Sequence, residues 1–409
     1  MSSLCYDAAM PRPDVTTAPT SNRWTALAVL TFARTAMGFQ FQSVGAVSPL
    51  LVERLHMSNA DLGWLIGLFS LPGIVVALPG GLLGDRFGDR RVVLVGLSLM
   101  TVGSAVMGVA EGYSAVVVGR VISAAGAIVL NVLLTKMLAD WFTGGEIVWA
   151  MAIMMNAWPV GIGIALFTLP SIAAVWGLPG AFHVAAGTAA VGALGIVCLY
   201  HSPPWASRSP TAMGLAALSR REIWLVAVAA LPWMIFNVGF AVTLGFVPSL
   251  LVRAGLSMQE AGLLLGVTNL LFIVSVLAGG AAAQWLARPG VVVLAGLLAY
   301  AVGLAVLPFA PPWPTLLAVG LLGGLPTGTL VSAPTGVLRP ESRGAGMGLF
   351  YTVYYIGMTL LPPVAGRLQD ALGGSAAVYF AVVAISATLP CYLAFRTIQA
   401  AAADQAPLA

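Results

Sequence analysis

Twelve runs of apolar residues follow one another along the chain, at 24–51, 60–82, 91–110, 114–139, 147–170, 178–200, 222–250, 259–286, 290–310, 314–338, 343–366 and 374–396. A bilayer core of about 30 Å takes roughly 20 apolar residues in a helix, so each run predicts one crossing. Backbone groups in lipid must find partners within their own segment, which makes the crossings helical. The longest polar interruption, His201 to Arg221, carries Pro203, Pro204, Pro210 and three arginines and divides six crossings from six. The pattern predicts an all-α polytopic membrane protein of twelve transmembrane helices. Its expected parts are a tail (1–22), a six-helix half (23–200), a central linker (201–221), a second six-helix half (222–396) and a tail (397–409).

Composition agrees with the pattern. Only 18 Lys+Arg and 14 Asp+Glu serve 409 residues while 59% are hydrophobic, too little polar surface to clothe a soluble globule. No stretch remains for a separate nucleic-acid or cofactor domain, and no cofactor is expected. The basic balance, with a pI near 9.1, belongs to membrane orientation. With the N-terminus placed inside and the crossings alternating, thirteen of the eighteen basic residues fall on the inner side and Arg54, Arg253 and Arg367 on the outer, while Arg34 and Arg120 lie within crossings. This predicts both termini in the cytoplasm of a bacterial inner membrane. Met1–Ser21 has no apolar h-region and reads as a disordered cytoplasmic tail, not a cleavable signal. Cys5, Cys198 and Cys391 have no paired spacing, so neither a disulfide framework nor a zinc site is expected.

The halves repeat. A shift of 199 positions superposes Pro49 on Pro248, Leu51 on Leu250, Arg54 on Arg253, Ser58 on Ser257, Gly63 on Gly262 and Gly67 on Gly266. An ungapped match across the polar loops between crossings 1 and 2 and between 7 and 8 implies two halves of the same orientation, related by an axis along the membrane normal.

After crossing 2 comes Gly81-Leu82-Leu83-Gly84-Asp85-Arg86-Phe87-Gly88-Asp89-Arg90-Arg91. This resembles the major facilitator superfamily signature, G-x-x-x-D-R-x-G-R-R, at its usual place between helices 2 and 3, with Asp89 standing where a base is usual. The resemblance implies that Asp85 gates the cytoplasmic side by bridging the halves when the outside is open. Its partner would be the start of crossing 11 or Lys136, and Gly81, Arg86, Gly88, Arg90 and Arg91 would shape the turn. A solvated loop that only orients the protein is the other reading. Gly119-Arg120 with Gly126 looks like the superfamily's arginine element of helix 4, whereas Trp158-Pro159-Val160-Gly161-Ile162-Gly163 matches the antiporter element of helix 5 only in part. Phe39-Gln40-Phe41-Gln42 and Met347-Gly348-Leu349-Phe350-Tyr351 look similar to the cyanate permease and nitroimidazole-exporter branch.

Ionisable groups at mid-bilayer cost about 2.5–3.5 kcal/mol even on lenient scales, so each needs a partner, a cavity or a task. Arg34 sits about 15 Å into crossing 1. Gly38, Phe41, Gly45 and Ser48 share its stripe with Gln42 flanking it, a face expected to line a pathway. On crossing 4, Arg120, Ala124, Ala127, Asn131 and Thr135 share a face. The superfamily's cavity, lined by helices 1, 4, 7 and 10, would bring both arginines to one space; binding to backbone carbonyls is the structural alternative for Arg120. No acid lies deep in any run, so the expected counter-charge is a bound anion. His183 reads as an interfacial histidine. Asn237 on the Trp233 stripe of crossing 7, the hydroxyls of Thr327, Thr329, Ser332 and Thr335, and Tyr351, Tyr354 and Tyr355 are candidates to complete the site. Pro326, Pro334, Pro362 and Pro363 predict broken or bent helices.

The expected function is a secondary transporter that moves a small organic or inorganic anion by alternating access, a monomer with no nucleic-acid partner. Its substrate-binding residues are Arg34, Arg120, Gln42, Asn131, Asn237 and Tyr355. The alternatives are a proton-driven exporter of neutral or drug-like compounds and a non-transporting membrane sensor or receptor. With no deep acid–histidine or metal-ligand cluster, the chain does not read as an enzyme.

Overall fold

A computed structural model describes residues 20–76, 80–142, 145–203, 218–339 and 342–404. Each of the twelve apolar runs is helical there, whole or in pieces, and no strand occurs among the described residues. Crossing 1 is α1 (Thr20–Ala46) continued by α2 (Ser48–Arg54), and crossing 2 is α3 (Asn59–Gly67), α4 (Leu71–Val76) and α5 (Gly80–Phe87). Crossings 3 and 4 are α6 (Asp89–Gly108) and α7 (Tyr113–Trp141). Crossings 5 and 6 form one helical run, α8 (Glu146–Cys198), turned back at Gly177, whose φ of 65° is open to glycine and strained for most other residues. The second half holds α9 (Arg220–Arg253), α10 (Met258–Trp285), α11 (Pro289–Val306), α12 (Pro312–Gly323) with α13 (Thr327–Ser332), α14 (Arg343–Leu372) and α15 (Ala376–Asp404).

Boundaries moved in three places. Helix begins at Thr20, inside the expected tail, and runs on to Asp404, past the expected end at 396. Most of the expected linker, 204–217, lies outside the described residues, and crossing 7 starts at Arg220 under a capping box in which the Ser219 hydroxyl and Glu222 carboxylate satisfy each other's backbone N–H. Crossing 2, expected as one run, breaks at Leu68–Ser70 just before Pro72, which lacks the N–H needed to continue a helix from above.

The repeat is visible in three dimensions. Ser58 with Asp61 and Ser257 with Glu260 form matching capping boxes at the starts of crossings 2 and 8. Arg54 lies against Gly177 in the turn between crossings 5 and 6, and Arg253 donates to the Gly374 carbonyl (3.1 Å) in the turn between 11 and 12. At the opposite end, Arg23 pairs with Glu146 (2.9 Å), joining the starts of crossings 1 and 5. The position 199 residues on from Arg23 is Glu222, which pairs with Arg339 (2.9 Å) just ahead of crossing 11. The same joint is built twice with its charges reversed.

Between the halves, crossing 2 packs on 11, 5 on 8 and 1 on 7. Proline and glycine determine these contacts. Pro248 has no N–H to offer the Leu244 carbonyl one turn back, and Gln42 Nε2 donates to that oxygen instead (3.0 Å). Pro363 likewise leaves the Thr359 carbonyl without its helical donor, and Gly67 fits against it so closely that a Cβ would stand 2.3 Å away. Gly262 meets the Leu166 carbonyl, left open by Pro170, in the same way (2.5 Å). Crossing 10 is broken at Pro326, as expected, and passes into a 3₁₀ turn (Ala333–Gly336). Crossing 11 instead continues as a helix through Pro362 and Pro363, and its open carbonyls seat the glycines of crossing 2 and do not face a cavity.

Candidate functional site

Arg34 lies midway along α1 and is 9% exposed. Its Nη2 rests 3.7 Å from the Met155 sulfur of crossing 5, while Nε and Nη1 are buried with no acceptor among the described residues. Tyr351 and Tyr355 of crossing 11 lie within its electrostatic reach. Tyr355 also receives a hydrogen bond from Asn131 Nδ2 of crossing 4 (3.3 Å), and its ring fills the space over Gly73 of crossing 2. Two of the expected site residues, Asn131 and Tyr355, therefore meet across the halves, with Tyr355 in the electrostatic reach of a third, Arg34. Asn237 donates to the Trp233 carbonyl of its own helix (2.8 Å), and Trp233 stacks on Tyr354 at 6.3 Å.

Arg120 is not in that group, and the expectation of a second anion-binding arginine gives way to a structural one. It is 2% exposed and donates Nε to the Leu65 carbonyl (2.9 Å), Nη1 to Gln40 (2.8 Å) and Nη2 to Phe41 (2.9 Å), with its guanidinium 4.6 Å over the Phe69 ring. Leu65 is in the last turn of α3, where carbonyls have no intrahelical donor, so Arg120 closes the break in crossing 2 and ties it to crossing 1. Gln42 is likewise a packing residue, 2% exposed and bound to Leu244. Gly38 abuts the Trp158 carbonyl and Gly45 the Leu244 carbonyl, so the small stripe beyond Arg34 serves close helix packing; it does not line an open path.

Sequence reasoning missed Gln40 and Met155. Gln40 is 1% exposed, donates Nε2 to the Met100 and Ala185 carbonyls (both 3.1 Å) and accepts from the Ser123 hydroxyl, joining four crossings. An amide in an apolar run was its only signal. His183 is exposed, with Nδ1 2.7 Å from the Pro179 carbonyl. It borders a groove of about 550 Å³ with Phe32, Trp176 and Val191 that has no charged wall.

At the end that carries the termini, Gly88 has a φ of 86° and turns α5 into α6, and a Cβ on Gly84 would collide with the Asp89 carboxylate. Asp89 pairs with Lys136 of crossing 4 at 3.2 Å, which gives the acid at this unusual position a partner. Arg90 donates to the Val197 carbonyl at the end of crossing 6 (2.8 Å), and the exposed Arg86 lies over Phe87. Arg91 is exposed. Gly81 lies in the first turn of α5, and the side chain of Asp85 lies outside the described residues. Three ion pairs described here, Arg23–Glu146, Lys136–Asp89 and Glu222–Arg339, each join residues of one half.

The opposite end is latched across the halves. Asp370, in the last turn of α14, accepts from the Asn59 backbone N–H (2.9 Å), Asn59 Nδ2 (2.8 Å) and the Ala60 N–H (2.9 Å) at the start of α3. A carboxylate is well placed at the N-terminus of a helix, where the peptide dipoles present partial positive charge. With the glycine contacts of crossings 2 and 8 below it, this end is closed in the structure.

A family model described as Major Facilitator Superfamily matches residues 30–362. The chain is 29% identical over 232 residues to the tetracenomycin C resistance and export protein of Streptomyces glaucescens, covering 53% of this chain and 41% of that protein. It is 29% identical over 103 residues to quinolone resistance protein NorA of Staphylococcus aureus, covering 24% of this chain and 26% of that one. The matches thus span less than half the length of these relatives. Among solved structures, a bacterial homologue of the human lysosomal transporter Spinster, in an inward-facing and occupied conformation, is similar with a TM-score of 0.73 at 17% identity, over 95% of this chain and 98% of that one. A D-xylose-proton symporter is similar with a TM-score of 0.72 at 16% identity, over 91% and 97%. At these identities the likeness is one of fold.

Proposed function

The chain belongs to the major facilitator superfamily and is a multi-pass membrane transporter, not an enzyme; from that premise we propose that its cargo is a small organic anion and that Arg34 is the anion's charge partner. The observation that carries this reading is the Arg34 guanidinium, buried at the junction of the halves with two nitrogens lacking acceptors. A guanidinium does not shed its proton in a protein, and leaving it unpaired away from water is costly, so a bound anion is its natural complement. Tyr355, within its electrostatic reach, and Asn131, bonded to Tyr355, would supply further hydrogen-bonding groups.

The transport cycle follows from the two ends. Placing the arginine-rich end and both termini in the cytoplasm of a bacterial inner membrane makes the Asp370 latch the outer gate and the structure inward-facing. Opening to the outside would break the latch and draw crossings 5, 8, 2 and 11 together at the cytoplasmic end, where Asp85 becomes the bridge between halves. A second reading, export of drug-like compounds, is favoured by the tetracenomycin C and quinolone resistance relatives.

Counterflow of labelled small carboxylates, nitrate and cyanate in proteoliposomes tests the anion reading. Arg34→Ala should lower the affinity thirtyfold or more, because removing one partner of a desolvated charge pair costs about 2–5 kcal/mol. Arg34→Lys should lose most of it, since an ammonium lacks the forked donors. Unaltered affinity for such an anion in Arg34→Ala would leave drug-like export as the better reading.

A further inference from the structure

Tyr351 and Tyr355, in the electrostatic reach of Arg34, belong to a larger aromatic cluster. Tyr351, Tyr354 and Tyr355 stand three and four residues apart on one face of α14, with ring centroids 6.1 Å (351–354), 6.3 Å (351–355) and 5.0 Å (354–355) from one another. Trp233 of crossing 7 extends this surface from Tyr354, nearly parallel to it at 28°. Its Nε1, like Nε and Nη1 of Arg34, is buried with no acceptor among the described residues. Helix packing alone would be served by phenylalanine or leucine, without the cost of burying hydroxyl and indole N–H groups.

Resting on the anion reading of Arg34, we propose that the substrate is an aromatic carboxylate. The carboxylate accepts from a free edge of the Arg34 guanidinium, the ring lies against the faces of Tyr351 and Tyr354, and an oxygen substituent on that ring accepts from Trp233 Nε1. The donor inventory is the reason for the carboxylate: three unpartnered donor nitrogens and no deep acid call for a ligand that brings acceptors. The tyrosine and tryptophan faces are the reason for the ring, because nitrate or cyanate would leave them uncovered, whereas a planar ring meets them in the offset and edge-on geometries that aromatic pairs prefer. Tyr354 and Trp233 are on this view specificity-determining residues, and Arg34 supplies affinity for the charge.

The test is calorimetric titration of the purified full-length protein in lipid nanodiscs with benzoate, cyclohexanecarboxylate, acetate and neutral benzamide. Benzoate should bind about fivefold more tightly than cyclohexanecarboxylate, which carries the same charge on a ring without π faces, and far more tightly than acetate. Tyr354→Leu should abolish the benzoate preference and Tyr354→Phe should keep it, which separates loss of the ring from misfolding. Trp233→Phe should weaken 4-hydroxybenzoate about tenfold more than it weakens benzoate. Equal binding of benzoate and cyclohexanecarboxylate, or no binding of benzoate, overturns the aromatic proposal. Benzamide binding as tightly as benzoate, unchanged in Arg34→Ala, would instead sink the anion reading beneath it.

Discussion

Removing the Asp370 carboxylate should open the latched end. Three N–H groups converge on it, two of them backbone donors from the first turn of α3, and every one belongs to the other half of the molecule. A charge at a helix N-terminus contributes about 0.3–1 kcal/mol when exposed and up to about 2 kcal/mol when partly buried. Asp370 is a surface residue, so water screens the contact and about 1.5 kcal/mol is a fair figure for the set. Asp370→Ala should then raise the fraction of molecules open at this end about tenfold, and Asp370→Asn, which keeps an acceptor and loses the charge, about threefold. The assay is the rate at which an impermeant maleimide, added on the side of the loop between crossings 1 and 2, labels a single cysteine at Ile66. That side chain is 6% exposed and packs against Gly245 of crossing 7, so it becomes reachable when the halves part. Cys5, Cys198 and Cys391 are first replaced. Glu53→Ala, an exposed acid with no part in the latch, should leave the rate alone. An unchanged rate in Asp370→Ala would refute the reasoning.

Three further outcomes follow from the same geometry. Arg120→Lys cannot reach the Leu65, Gln40 and Phe41 carbonyls together and should destabilise the protein by about 2–4 kcal/mol, read as a lower melting temperature in detergent; an unchanged melt would deny Arg120 its structural task. Gly67→Ala puts a methyl 2.3 Å from the Thr359 carbonyl and should hold the latched end ajar, so that the Ile66 cysteine labels quickly and transport fails; normal transport would show that crossings 2 and 11 can separate there without loss. A cysteine placed at the exposed Ser257 should label from outside intact cells and one at Ser209 should not, and the reverse pattern would invert the proposed orientation.

The crossings, their number and their repeat were legible because hydrophobic run length is a local signal and a 199-residue shift is a property of the string. The break in crossing 2 was not: Leu68–Ser70 reads as apolar as its neighbours, and what stabilises the gap is Arg120, more than fifty residues away. Arg34 could be picked out by depth and by the absence of acids, and Asn131 and Tyr355 by type. The separation of Arg34 from Arg120 could not, because helical-wheel arithmetic places residues on a face without saying whether carbonyls or open space lie opposite. Gln42 failed for the same reason, since its partner oxygen exists only because Pro248 removes the competing N–H on another crossing. Asp370 lies beyond the expected end of crossing 11 at 366 and looked like any loop acid until α14 brought it over the start of α3.

Two halves with the same backbone plan face a sorting problem as the chain inserts, since the start of crossing 1 could settle beside crossing 11 as readily as beside crossing 5. The reversed joint answers it. Arg23 meeting Arg339, or Glu146 meeting Glu222, would set like charges together at a site built for opposites, while the correct neighbours attract. Repulsion against the wrong partner separates two alternatives more widely than attraction to the right one alone. The sign change is thus an address written at the base of each half, one that disfavours an exchange of helices between two bundles of the same plan.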